Sequence, residues 1–226
     1  MEIKGLIETS FVDWPGRVSA VVFLGGCNFR CPYCHNHELV LRSREMAGRR
    51  PDLVLDQLKP YADWLDGVVI SGGEPCLEPE LPRLCRAFKN LGLPVKIDTN
   101  GSRPEVLTEL IEGELIEAVS MDLKAPLGEP LLHRQMAGAA ADLAALERSI
   151  DLLLAADLER EFRTTVVPGF LTEVHLAAMA RRVKDADRYK INPFRPLTCL
   201  DESFTKLPGL SEEDQKRLQE LVDSLI

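Results

Sequence analysis

The sequence predicts an α/β fold built on a parallel sheet, and three observations predict it. Short segments rich in Val and Ile recur along the chain: 18–24 (VSAVVFL), 67–71 (GVVIS), 95–98 (VKID), 118–123 (AVSMDL), 161–167 (EFRTTVV) and 189–193 (YKINP). Their length and β-branched content mark buried strands. Longer stretches with helical spacing of apolar residues separate them, so strand and helix alternate. Glycines and polar residues then collect just after each strand, as GGCNFRCPYCHN, GGEP, TNG, KAP, PG and FRP. In parallel α/β folds, ligands bind at that end of the sheet.

Each element follows from the local pattern. After the first strand, 42–50 (RSREMAGRR) is the most polar stretch and is expected to be a solvated connection. Helices are expected over 52–65, 81–91, 104–111, 141–156 and 172–183, and Pro60 should break or kink the first of them. The last helix spans 211–225. Ser211 is its expected N-cap, and Glu212, Glu213 and Asp214 suit the positive end of the helix dipole. Six strand–helix units are too few for a closed eight-unit barrel. An open partial barrel and a doubly wound sheet both fit. Neither a linker nor a repeat divides residues 1–226, which are expected to form a single domain.

Composition excludes several classes. Apolar residues make up 45% of the chain and charged residues 28%, an ordinary balance for a packed core. A net charge of −9 argues against a nucleic-acid-binding surface. No apolar run is long enough to span a membrane, and residues 1–16 do not read as a secretory leader. The cytoplasm is the expected compartment. There the six cysteines should be thiols or metal ligands, not disulfides.

Three of those cysteines crowd into Cys27-Asn28-Phe29-Arg30-Cys31-Pro32-Tyr33-Cys34-His35-Asn36-His37. Three thiolates on one short loop can reach three corners of an iron–sulfur cubane and leave the fourth iron open to a small chelating molecule. Zinc held by these cysteines with His35 or His37, a redox pair of Cys31 and Cys34, and simple packing are the competing readings. The loop follows a strand, and no second metal-binding knuckle accompanies it, which disfavours a zinc ribbon. His133 and His175 read as surface or capping residues. Cys76 and Cys85 read as helix packing, and Cys199 has no assigned role.

The spacing C-x-x-x-C-x-aromatic-C, with Tyr33 at the aromatic position, resembles the radical S-adenosylmethionine superfamily. That resemblance implies a partial (β/α)6 barrel with parallel strands. It implies that Cys27, Cys31 and Cys34 hold a 4Fe–4S cluster. The amino and carboxylate groups of S-adenosylmethionine would chelate the open iron, and one electron would split the cosubstrate into methionine and a 5′-deoxyadenosyl radical. Tyr33 would lie beside the adenine. Gly72-Gly73-Glu74 matches the family's GGE motif, which contacts the methionine amino group. Asp98, with Asn100 in Asp-Thr-Asn-Gly, and Asp122 with Lys124 resemble the glycyl-radical-enzyme activases. In that group the aspartates and lysine surround the methionine end, and a monovalent cation can bind near Asp98. Arg163 matches an activase arginine near the cosubstrate carboxylate, with Thr165 facing the same way. Arg195 stands where pyruvate formate-lyase activases have a histidine, so it is expected to bind the cosubstrate or a partner instead.

The opening segment 5–16, with its Asp13-Trp14-Pro15-Gly16 turn, is similar to the segment that precedes the first strand in activating enzymes. Residues 20–40 look most like the activating proteins of anaerobic ribonucleoside-triphosphate reductase, and no insert for a second cluster is present. The resemblance therefore implies hydrogen abstraction from a glycine of a partner enzyme, with reduced flavodoxin or ferredoxin as electron donor. The alternative within the superfamily is a small-molecule enzyme such as a 7-carboxy-7-deazaguanine synthase, which would take a pterin and usually magnesium. A non-catalytic metal-binding module is a further alternative, against which the GGE and Asp-Leu-Lys matches speak.

Overall fold

The computed structural model describes residues 1–226, and its seven strands form one sheet in chain order. β1 (Ile3–Ser10) runs antiparallel to β2 (Ser19–Leu24). β3 (Gly67–Gly72), β4 (Val95–Thr99), β5 (Ala118–Asp122), β6 (Glu159–Val166) and β7 (Arg188–Pro193) follow, each parallel to the strand before it. A doubly wound sheet would reverse its strand order partway. This order never reverses, so the sheet is the open partial barrel.

Seven helices lie in the connections, α1 (His37–Leu41), α2 (Pro51–Leu58), α3 (Leu81–Lys89), α4 (Pro104–Glu112), α5 (Pro130–Ala137), α6 (Leu143–Ala155) and α7 (Glu173–Arg182), and α8 (Glu212–Asp223) follows β7. Proline occupies the first or second position of α2, α3, α4 and α5. There its fixed φ suits the helix and its missing N–H costs no bond. Pro60 acts as expected: α2 stops at Leu58, and Lys59–Trp64 continues as a 3-10 turn. Ser211 caps α8, its side chain accepting from the Asp214 N–H.

Three elements depart from the sequence reading. Residues 3–10 form a strand, not a segment preceding one. The strand is half-exposed along most of its length, so no clean alternation betrays it, and its order comes from the free edge of β2. α1 and α5 are too short for helical periodicity to register.

Strand alternation divides the interior in two. Val22, Ile70, Ile97, Val119, Phe162 and Ile191 point to the helix side and join the main core. On the concave side, β2, β3 and β5 present Val21, Val69 and Ala118 around Trp14. Trp14 is fully buried and forms the floor of the barrel. Its indole N–H donates to Glu159 Oε2 at 3.0 Å, and the Arg17 guanidinium lies 4.5 Å from the ring centroid. Gly67 faces the ring so closely that a Cβ there would lie 2.7 Å from it. The β7 edge is covered from α8. Gln219 accepts from the Ile191 N–H and donates to the Tyr189 carbonyl, while Gln215 donates to the Ile191 carbonyl. Two side chains one helical turn apart thus satisfy the edge that a further strand would otherwise pair.

Trp14→Ala should lower stability by about 3–5 kcal/mol, the usual cost of emptying a buried aromatic site. Phe11→Ala, just after β1 and 72% exposed, should change it by less than about 0.5 kcal/mol. Urea unfolding of the two variants measures the contrast.

Candidate active site at the carboxyl ends of the strands

The loop between β2 and α1 carries the three clustered cysteines, and neighbouring strand ends hold it in place. Glu74 N–H donates to the Gly26 carbonyl and Gly73 N–H to the Leu24 carbonyl. Asn28 is bonded to Ser102 and to Asn100, at 2.8 and 2.9 Å. Arg30 N–H donates to the Ala137 carbonyl at the end of α5, and Asp201 N–H donates to the Pro32 carbonyl. His35 Nε2 lies 2.8 Å from the Arg195 carbonyl, and the Asn36 amide donates to the Gly72 carbonyl. The loop is thereby tied to the ends of β3, β4 and β7 and to α5.

Gly72 and Gly73 are required by this packing. Gly72 has a φ of +124°, and a Cβ on either residue would run into the backbone of Leu24 or Gly26. Glu74 is fully buried and works as a tie between strands. It accepts from Cys76 N–H at 3.0 Å, Thr99 Oγ1 at 2.7 Å and Asn100 N–H at 2.6 Å. Burial raises its pKa, and these donors oppose the rise.

The clamped loop opens on a cavity of about 560 Å³. Every residue singled out from the sequence lines it: Cys27, Cys31, Tyr33, Cys34, Gly72, Gly73, Glu74, Asp98, Asn100, Asp122, Lys124, Arg163, Thr165 and Arg195. Cys31 is buried, and Cys27 and Cys34 are half-buried. Burial pushes all three thiols up, with Lys124 opposing the rise. Three thiols on one loop facing a common space suit a cluster that takes one sulfur at each of three corners. No three cysteine, histidine, aspartate or glutamate side chains converge on a point for a single metal ion. Tyr33 is buried, and desolvation pushes its phenol well up.

Opposite the cysteines, an alternating row of charges crosses the concave face. Lys96 donates to Asp98 at 2.7 Å, and Arg163 donates to Asp98 at 3.2 Å and to Asp122 at 3.0 Å. Lys124 donates to Asp122 at 3.0 Å. Desolvation by itself would raise Asp122, but Lys124 and Arg163 outweigh it and hold the carboxyl at about 2. Asp98 is likewise held below its ordinary value, Arg163 and Lys96 overcoming its burial. Lys96 escaped the sequence reading, although its place two residues before Asp98 on a strand puts both on one face.

Two histidines resolve differently. His175 is the capping partner of Thr172 at the start of α7, as a capping role requires. His133 is buried, not at the surface. It stands edge-on to Phe29 with Nδ1 unpartnered, and desolvation lowers its pKa to about 4. Cys76 lies in the 3-10 turn Pro75–Leu77 and Cys85 in α3, both buried. Arg195 stands exposed at the rim of the cavity.

Arg163→Met leaves Asp98 and Asp122 with one cation each and should cost about 3 kcal/mol near neutral pH. Both carboxyls have lowered folded pKa values. Their contribution is therefore complete above the unfolded value and is lost as pH falls towards about 2. The deficit of the variant should shrink steadily below about pH 4, where its aspartates protonate. Urea unfolding of both proteins across this range tests the sign.

Comparison with known proteins agrees with this geometry. The radical SAM superfamily profile matches residues 21–183. A candidate glycyl-radical enzyme activating enzyme of Methanocaldococcus jannaschii is 35% identical over 99% of this chain and 92% of its own length. The pyruvate formate-lyase-activating enzyme of Clostridium pasteurianum is 25% identical over 99% of this chain and 98% of its own. Among solved structures, a radical SAM methyltransferase from Sphaerobacter thermophilus superposes with a TM-score of 0.65 at 17% identity, over 94% of this chain and 65% of that one. Coproporphyrinogen III oxidase from Escherichia coli gives 0.61 at 15%, over 95% and 54%. These two share the fold. With the profile spanning most of the barrel and a relative aligned along nearly its whole length, the chain belongs to the radical SAM superfamily.

Proposed function

We propose that this protein is a glycyl-radical-enzyme activase that reductively cleaves S-adenosylmethionine at a 4Fe–4S cluster held by Cys27, Cys31 and Cys34. The observation that carries the reading is the placement of three thiols on a clamped loop, across one cavity from a fixed row of cations and carboxylates. The whole-length likeness to activating enzymes supports it. When bound, the cluster and its cosubstrate supply a one-electron cleavage that yields a carbon radical able to take hydrogen from a glycine Cα.

The chain's own work is binding, orientation and exclusion. Arg163 and Lys124 are held by Asp98 and Asp122, so they meet an anionic group without first being ordered. Tyr33 offers a buried aromatic wall. Gly72 and Gly73 let the β3 end approach the cysteine loop, and Thr165, Asn100 and Arg195 line the remaining sides. Trp14 closes the floor, which limits entry to the mouth. A small electron carrier such as flavodoxin or ferredoxin would supply the electron, in the cytoplasm. No helix is long and apolar enough to cross a membrane. Anaerobic ribonucleotide reductase is the proposed partner, on the likeness of residues 20–40 to its activating proteins.

The chain should be reconstituted with iron and sulfide without oxygen, then given dithionite and S-adenosylmethionine. 5′-Deoxyadenosine should form, and replacing any of the three cysteines with alanine should abolish it. A glycyl radical signal by electron paramagnetic resonance should then appear with anaerobic ribonucleotide reductase. A signal with pyruvate formate-lyase alone would reassign the partner. Turnover of a pterin without any partner would overturn the activase reading.

A further inference from the structure

The likeness to activases implies a monovalent cation beside Asp98, and the residues here do not fit one. Both oxygens of Asp98 are engaged, Oδ1 by the Lys96 ammonium at 2.7 Å and Oδ2 by Arg163 at 3.2 Å. Both oxygens of Asp122 are engaged as well, by Arg163 and Lys124, each at 3.0 Å. The Lys96 side chain is 2% exposed and sits on the concave face of β4. Its ammonium also donates to the Asp13 carbonyl at 2.7 Å. That carbonyl belongs to the turn between β1 and β2, the same turn whose Trp14 forms the floor.

The row thus holds three cations, Lys96, Arg163 and Lys124, against Asp98 and Asp122, with the buried Glu161 two residues before Arg163 on the same face of β6. An added alkali ion would bring a fourth positive charge to a buried site where both oxygens of Asp98 and of Asp122 are already engaged. A carboxylate and a carbonyl oxygen, both hard oxygen donors, are what an alkali ion would require, and the ammonium already takes both.

We infer that Lys96 is a built-in counter-cation for Asp98, which makes this site independent of alkali metal ions. Lys96 is a positioning residue. It fixes Asp98, Asp98 and Asp122 fix Arg163, and the guanidinium is thereby aimed into the cavity. The ligand side of the inference rests on the proposed use of S-adenosylmethionine; the charge arrangement does not.

The first test needs no variant. Thermal unfolding of the full chain is followed in sodium, potassium and N-methylglucamine chlorides at equal ionic strength. The midpoints should coincide. A saturable rise specific to sodium or potassium would overturn the inference. The second test measures S-adenosylmethionine binding by equilibrium dialysis on the reconstituted chain. Wild-type affinity should be the same in all three salts. Lys96→Met should weaken it by about tenfold or more, and potassium, sodium or methylammonium should restore part of the loss. An equal loss in every salt, with no rescue by methylammonium, would reduce Lys96 to a packing role and overturn the inference. If Lys96→Met does not fold, the wild-type salt comparison decides alone. Failure of 5′-deoxyadenosine formation would sink the proposed function and leave these salt results standing.

Discussion

The structure depends on one electrostatic constraint: a row of five charged side chains carried inside the barrel, away from bulk water. Lys96, Asp98, Arg163, Asp122 and Lys124 come from β4, β5, β6 and the turn after β5. Removing charges from water is expensive, and only close pairing offsets it. Each carboxylate here has two cationic partners within 3.2 Å. The pairing in turn fixes the register of three neighbouring strands, because Asp122 lies directly opposite Arg163 across the β5–β6 ladder. A slip by one residue would turn these charges to the apolar helix side. The row is therefore a device of specificity as well as a recognition surface.

The cysteine loop depends on backbone groups more than on side-chain charge. Its carbonyls and N–H groups are satisfied by the ends of β3, α1 and α5 and by the segment after β7. Glycines at 72 and 73 permit the approach, and Glu74 ties β3 to β4 beneath it. A loop satisfied in this way has little freedom to close its thiols into disulfides or to collapse into the cavity. Such ties favour binding a ligand with little reorganisation of the loop.

Much of this was legible in the sequence. The six parallel strands, the polar strand ends and the residues of the cavity all follow from alternation, turn chemistry and the resemblance carried by the cysteine spacing. What was missed shares a physical cause. β1 is ordered by the edge it pairs with, not by its own pattern. α5 is short, and His133 is buried only because α5 docks on the cysteine loop. Lys96 stands in a segment read as a buried strand, and its pairing with Asp98 shows only once both faces of β4 are seen to be covered. Asp13 contributes a carbonyl, and main-chain groups leave no signature in residue type. Each omission is a long-range contact that local pattern does not encode.

Floor and mouth make opposite demands on the same barrel. A cavity shielded from bulk water must still admit what binds in it. The chain meets the first demand with a fully buried tryptophan from outside the parallel sheet, pinned to β6 by a hydrogen bond to Glu159. The second is met at the mouth, where the cavity lies at the carboxyl ends of the strands with Arg195 exposed at its rim. The turn that supplies the tryptophan also supplies the carbonyl that anchors Lys96. Closing the floor and fixing the charge row are therefore one structural act, performed by the turn that joins the one antiparallel strand to the parallel sheet.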